Sequence, residues 1–515
     1  KEVTQQTTKS NPETMGRYHT NWLNMMYPRL RLAANLLRDD GVIFISIDDG
    51  EVDNLKKLCN EVFGEENFMA QIIWQKVYSP RMDVQGFSTS HDYILCYVKS
   101  SIESIRQEAF VQNAAQFNFV DPANGKKYRR RSIRKEGSHS TRSERPNLWF
   151  PLPAPDGTEV YPYKPDGTEG CWRWSLETYR QNEQQGIVEW VKTENGWQAY
   201  AKQYLDTEAV KPPETLWLHQ EVGHNHSAAE ELKKLLDGKV FESPKPKELI
   251  IKMLKLATYI DNDDIILDFF SGSATTAHAV MQLNAEDGGN RRFILVQLPE
   301  LCNEKSEAHK AGYKNICEIG KERIRRAGKK IAETIYEDKF AIKIGGQTVA
   351  SLASAVEIIQ PKEEAVQQIQ EKLKGLDVGF KVFKLDTSNL ETWDATPIEN
   401  EQLDLLYQRM NSMIHRVKPE RTDLDMIYEI MLKLGVPLTY PVTPFSINNK
   451  SVYGVGDDCL LLVCLAENVQ PEDVEQMTEY APAKIIISRD SFADDTAIAN
   501  TYYILRDHGI ELKLV

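Results

Sequence analysis

No stretch of the 515 residues approaches the roughly 20 consecutive apolar residues of a membrane-spanning helix, so no membrane association is expected. Seven cysteines are scattered without CxxC or CxxH spacing, which argues against a zinc site or a disulfide framework and fits a reducing cytoplasm. Positive charge is scarce. Lys and Arg number 62 against 76 Asp and Glu, a net charge of −14, so the chain as a whole is not attracted to nucleic acid. A local patch could still provide such attraction. The first residues do not read as a signal peptide, and the chain begins with Lys1 rather than Met, which hints at missing upstream sequence. Charged residues at 27% and hydrophobic ones at 41% suit a soluble globular protein, and the length suggests roughly three domains.

What is there is organised around Leu267–Val280, LDFFSGSATTAHAV. An apolar run, Ile265–Phe270, contains Asp268 and ends in two aromatics. A turn of small residues, Ser271-Gly272-Ser273-Ala274, follows, and Thr275 starts a helical pattern. A buried strand, a glycine turn and a helix N-terminus form the adenosyl- or nucleotide-cradling device of α/β proteins. Small residues let a ligand approach the backbone, and the free N–H groups of the first helical turn point at it. Further on, Phe293–Glu300 (FILVQLPE) reads as a second buried strand ending in an acid suited to ribose hydroxyls. An ordinary strand–turn–helix is the alternative, and a dinucleotide enzyme is another. The turn lacks G-x-G-x-x-G, which counts against the latter.

Upstream, Lys1–Arg17 is polar and reads as a loop or tail. His19–Leu37 has Trp22, Met25, Met26, Leu30, Ala33 and Leu37 on one helical side, with Pro28 marking a kink or break. A buried strand is expected at Gly41–Ile47, a helix at Glu51–Phe63, and further strands at Gln71–Lys76 and Tyr93–Lys99. From about Ser101 to Lys239 apolar runs shorten and turn pairs appear, and PDGTE occurs at both 155–159 and 165–169, suggesting two similar turns. Within this region Lys126–Arg145 carries nine basic residues against two Glu: Lys126, Lys127, Arg129, Arg130, Arg131, Arg134, Lys135, Arg142 and Arg145. Trp149, Phe150, Trp172 and Trp174 follow. Cations near aromatics suit phosphate neutralisation plus base contact, against the alternative of a solvated loop with buried tryptophans. A helix is expected at Lys247–Ala257 and an amphipathic one with a basic face at Asn315–Ala332. Gly379–Leu385 is a candidate strand. Helical patterns then run to about Leu434, and a β-α-β-α-β series spans Cys459–Val515.

Together these pieces resemble the β-class of DNA amino-methyltransferases, and within it the modification subunits of type III restriction–modification systems. The resemblance rests on FSGSATT at 270–276, PKP at 244–246, VQLPE ending at Glu300, NWLNMMYPRL, DDGVIFISIDD, RKEGSHSTRSERPNLWFPL, DGTEGCWRWS and GFKVFKLD. It implies an α/β fold: a circularly permuted Rossmann-like methyltransferase with an inserted target-recognition domain and an appended C-terminal α/β domain. The implied domains are 1–100 and 241–336 for the methyltransferase, 101–240 for recognition, and 337–515 for subunit contacts. The implied reaction moves a methyl group from S-adenosylmethionine to adenine N6 in double-stranded DNA, with no metal. Lys245, Pro246, Asp268, Phe269, Phe270, Ser271, Gly272, Ser273, Thr275, Thr276 and Glu300 would bind the donor, and the nine basic residues would hold DNA. A homodimer that also binds a helicase–nuclease restriction subunit is implied. Ala274 stands where many relatives have glycine.

One departure concerns catalysis. In this class an acid or amide followed by Pro-Pro and Tyr or Phe precedes the segment that begins here near Trp22, and no such tetrapeptide occurs in the 515 residues. Asp121-Pro122-Ala123-Asn124 lacks the second proline and the aromatic, and Thr443-Pro444-Phe445 lies in the tail. Those groups matter because the adenine N6 lone pair is delocalised into the ring. Acceptors for its two N–H bonds favour a more nucleophilic nitrogen, while an aromatic stacks on the flipped base. No catalytic residue can be assigned, and N-terminal truncation is expected. A non-catalytic DNA-binding or scaffold subunit is the rival for this chain.

Overall fold

The computed structural model describes residues 19–80, 82, 85–100, 104–110, 112–340, 376–391, 393–396, 403–412, 417–418 and 420–515. The polar tail at Lys1–Arg17 lies outside them. The fold is mixed α/β and divides into two compact units, Lys1–Gly379 and Phe380–Val515. No helix of the described residues is long and apolar enough to cross a membrane.

In the first unit α1 (Thr20–Leu36) buries Met26, Leu30, Ala33 and Ala34. It runs unbroken through Pro28, so the expected break is absent. Asn24 and Pro28 both face solvent, and the carbonyl that proline leaves without a donor can be hydrated there. Next come β1 (Val42–Ile47), α2 (Val52–Phe63), β2 (Phe68–Gln75) and β3 (His91–Val98). β3 lies between β1 and β2, antiparallel to both. α1 and α2 cover one face over Ile43, Leu95 and Tyr97. The other face carries Ile72, Trp74, Ile94 and Cys96. Burial on both faces explains why these strands read as continuous apolar runs.

An insertion follows with its own antiparallel sheet. β4 (Lys127–Ser132) pairs with β6 (Gly196–Tyr204), which pairs with β5 (Val188–Thr193). Helix α3 (Leu176–Gln184) adds Tyr179 to a core of Ile133, Leu152, Trp172 and Ala199. The two PDGTE stretches fold alike. In each the Asp carboxylate accepts the Thr N–H two residues on (3.1 and 3.0 Å), and Gly157 and Gly167 sit at φ of 86° and 82°. Glycine adopts that region without a Cβ clash.

The chain returns to the first sheet through β7 (Leu216–Trp217), parallel to β2. The indole N–H groups of buried Trp74 and Trp217 donate to the carbonyls of Gly223 (3.0 Å) and Glu214 (2.8 Å). Helices α4 (Asn225–Leu235) and α5 (Lys247–Ala257) lead to β8 (Ile265–Asp268), α6 (Thr275–Asp287), β9 (Arg292–Leu295) and α7 (Ile316–Phe340). β8 and β9 form a separate parallel pair. Among the described residues β8 is laddered only to β9, and β1 only to β3. Phe269 nevertheless packs against the α1–α2 core, and Arg38 Nη1 donates to Asp264 at 3.1 Å.

Both strands of this pair depart from expectation. They are half-buried and the second is short: it ends at Leu295, while Ile265, Ile294, Val296 and Leu298 stay exposed. Only the side of Ile266 and Phe293 is covered, by Leu254, Ala279, Val280 and Leu283 from α5 and α6.

In the second unit α8 (Leu403–Ser412) and α9 (Asp423–Leu434) precede a hairpin, β10 (Val442–Ile447) and β11 (Lys450–Val455). Asn448 and Asn449 form its turn at φ of 49° and 65°, as a two-residue hairpin of this hand requires. Pro444 therefore sits on an edge strand, where its missing N–H costs no ladder bond. β12 (Leu461–Cys464), α10 (Pro471–Thr478), β13 (Lys484–Ile487), α11 (Asp495–Asp507) and β14 (Glu511–Leu514) complete the unit, the last three strands parallel. Gly379–Leu385 is not a strand. Lys381 Nζ instead donates to the carbonyls of Leu438 and Tyr440 at 3.0 and 2.9 Å, and Phe383 stacks edge-on against Tyr428.

Candidate functional site

At the carboxyl end of β8 both oxygens of the Asp268 carboxylate are engaged by its own turn. Its Oδ1 accepts the Phe270 N–H at 3.1 Å, and its Oδ2 accepts the Thr276 hydroxyl at 2.6 Å. The acid therefore ties the strand end to the first turn of α6. Gly272 has φ 49° and donates its N–H to the Gln297 side chain at 2.8 Å. Ala274, the N-cap of α6, holds φ 60° despite its Cβ, a strain of about 1–2 kcal/mol that glycine would not bear. No side chain caps this helix, so the N–H groups of its first turn remain available to a ligand.

The hydroxyls of the turn point inward. Ser271, Ser273, Thr275 and Thr276 are all buried, and Thr275 Oγ1 donates to the Lys245 carbonyl at 3.2 Å. Beneath them lies Arg323 of α7, with no exposed surface at all. Its Nη1 donates to Ser273 Oγ at 3.0 Å and to Thr275 Oγ1 at 2.7 Å. Burial pulls this guanidinium down to about 10, and the same interior keeps His278 well below its ordinary value. Phe270 is the exposed member of the turn, while Phe269 packs inward.

The PKP element stands beside the turn. Pro246 caps α5, and Gly223 passes so close that a Cβ there would lie 2.8 Å from the proline ring. Lys245 Nζ pairs with Asp92 at 3.1 Å and lies 4.5 Å from the Trp74 ring centroid. Asp92 also receives Lys76 at 2.6 Å, so one carboxylate faces two ammonium groups and the cluster is net positive. Glu300 is exposed, five residues beyond the end of β9, and its carbonyl accepts the Ile316 N–H at the start of α7. Arg323, Gln297, Asp92 and Lys76 were not singled out from the sequence. Gln297 lies within the VQLPE stretch, where only its neighbour Glu300 stood out; the other three belong to elements distant along the chain, and no local pattern marks them.

The basic segment is less uniformly free than its composition suggests. Arg130 makes a bidentate pair with Glu189 (2.9 and 2.6 Å). Arg129 donates to Gln203 and Gln116, Arg134 to the Tyr163 carbonyl, and Arg142 to Glu169 beside the Trp149 ring. Lys126, Lys127, Arg131 and Arg145 are exposed, and Lys135 is half-buried. Trp172 belongs to the core, its N–H on the Phe150 carbonyl at 2.8 Å, whereas Trp149 clusters near the surface with Tyr161 and Tyr163. Asp121 is structural: the Tyr204 hydroxyl, the Ala123 N–H and Lys202 hold its carboxyl down at about 2.

Residues 10–328 match the family described as DNA methylase. The Mod subunit of the type III restriction–modification enzyme EcoPI of Escherichia phage P1 is 35% identical over 65% of this chain and 53% of its own length. The StyLTI Mod subunit of Salmonella typhimurium is 36% identical over 61% of this chain and 46% of its own. The type II methyltransferase M.KpnI of Klebsiella pneumoniae is 32% identical over 58% of this chain and 72% of its own. The chain thus spans about half the length of the Mod subunits it matches. A putative DNA modification methylase of Thermus thermophilus, solved with S-adenosyl-L-methionine, is 14% identical over 60% of this chain and 79% of its own. Its TM-score of 0.26 carries no argument about the fold.

Proposed function

The chain belongs to the DNA methylase family, and on that premise we propose that it is the modification subunit, or a large part of one, of a type III restriction–modification system. Its reaction is methyl transfer from S-adenosylmethionine to adenine N6 at a specific site in double-stranded DNA. The observation that carries this reading is the uncapped N-terminus of α6 behind a tight Ser-Gly-Ser turn at a strand's carboxyl end. The donor fits there: a helix N-terminus favours a carboxylate such as the donor carries, and no side chain caps this one. When bound, the donor supplies an electrophilic methyl group on a sulfonium.

The chain's own residues bind and orient. Asp268 and Gln297 fix the turn, Gly272 lets the ligand meet backbone, and Lys245 and Pro246 close one side. The Lys76–Asp92–Lys245 cluster adds positive potential beside that wall, and Glu300 takes the ribose hydroxyls. The finer architecture belongs to the same proposal. A circularly permuted Rossmann-like domain comprises 1–100 and 241–336, with 101–240 recognising DNA through the exposed cations. Residues 337–515 make subunit contacts, as a homodimer and with a restriction subunit. No acceptor for the N6 hydrogens is assigned, because the tetrapeptide that supplies them in this class does not occur in these residues.

Calorimetric titration with S-adenosylmethionine and, separately, NAD tests the donor assignment. Binding of the first and not the second is expected; the reverse would overturn the reading.

A further inference from the structure

Arg323 is an expensive residue in its position. Its side chain has no exposed surface, and among the described residues Nε and Nη2 have no hydrogen-bond partner. The nearest carboxylate, Glu231, stands 3.8 Å from Nη2. An arginine so placed is costly to bury, because two of its nitrogens lack the hydrogen bonds that would offset the loss of hydration. Packing stability therefore does not account for it.

Its surroundings connect it to the turn. Gly320 precedes it by three residues on α7, on the same helical face. A Cβ at Gly320 would stand 3.4 Å from Ala274 Cβ and 3.6 Å from the Gly272 carbonyl, ordinary van der Waals contact, so this face of the helix lies directly against the turn. The guanidinium then spans two hydroxyls, one on each side of strained Ala274. A guanidinium has donors only. Both hydroxyls are thus forced to accept from it, and their own protons must point elsewhere. Thr275 spends its proton on the Lys245 carbonyl, which couples the PKP element to the turn.

We propose that Arg323 is a positioning residue for the methyl donor: it acts through Ser273 and Thr275, locking the turn and the PKP element in the ligand-ready arrangement without touching the ligand. The inference rests on the reading of this turn as the S-adenosylmethionine cradle. The buried charge also lies behind the N-terminus of α6, where it adds to the positive end of the helix dipole.

The test is a cycle on the full chain with Arg323→Met, the pair Ser273→Ala with Thr275→Val, and all three together. Donor affinity is read by calorimetry, DNA affinity by anisotropy, and the thermal midpoint by calorimetric scan. Arg323→Met is expected to weaken the donor by about tenfold, the size of one charge-assisted hydrogen bond, with DNA affinity unchanged and the midpoint lowered no further than in the hydroxyl pair, which leaves the same bonds unmade. The triple variant should bind no more weakly than the hydroxyl pair. Wild-type donor affinity in Arg323→Met, or losses that simply add, would overturn the proposal. If Arg323→Met does not fold, Arg323→Lys decides: it keeps the charge but loses the fork, so weakened binding supports the role and unchanged binding refutes it. Failure of the unsubstituted chain to bind donor would instead overturn the cradle assignment beneath it.

Discussion

Lowering the pH should destabilise the first unit through a single identifiable histidine. His278 lies on buried α6, 4% exposed, and among the described residues its Nδ1 has no hydrogen-bond partner. Burial first, then the charges of Arg323, Lys247 and Lys330, hold it neutral well below the ordinary value of 6.5. The sign follows from linkage. Below 6.5 the unfolded chain takes up a proton that the folded chain refuses, so stability is full above that pH and falls beneath it. The slope for one proton cannot exceed about 1.4 kcal/mol per pH unit, so the loss by about pH 5.5 is at most about 1.4 kcal/mol. Other groups titrate over the same range, so the useful quantity is the difference between the wild type and His278→Leu in urea unfolding, measured from about pH 7.5 to 5. That difference should be flat above 6.5 and tilt against the wild type below it. A constant difference across the range would refute the assignment of a buried neutral imidazole.

Asp268→Ala should abolish donor binding while DNA binding persists; it also strands the buried Thr276 hydroxyl, at a cost of about 1–3 kcal/mol in unfolding free energy. Unchanged calorimetric affinity would contradict the role given to the turn. Arg131→Ala should reduce the log–log salt slope of DNA binding by roughly 0.9 if it contacts one phosphate. Arg130→Ala, which breaks the Glu189 pair, should lower stability with less change in slope, and a wild-type slope in Arg131→Ala would return the segment to a solvated surface. Removing Phe380–Val515 should abolish dimerisation or restriction-subunit binding, as read by sedimentation; normal assembly would contradict the subunit-contact role.

Features carried by neighbouring residues were legible in the amino-acid order. FSGSATT announced a strand end, turn and helix because backbone freedom at Gly272 and the small side chains around it are local properties. The PDGTE turns, the α1 stripe from Trp22 to Leu37 and the closing β-α-β-α-β series were legible for the same reason. What tertiary structure alone decided depends on partners far apart. Pro28 is tolerated because its face of α1 is solvated, and Gly379–Leu385 is held without a ladder, by the Lys381 ammonium on the Leu438 and Tyr440 carbonyls. Arg130 looks like a phosphate ligand until Glu189, 59 residues away, occupies it. Arg323 sits on a helix whose sequence reads as a basic surface, yet it is sealed under a turn about 50 residues upstream. Periodicity reports which side of a helix is apolar. It cannot report which cation that side buries, because that is set by which distant element packs against it.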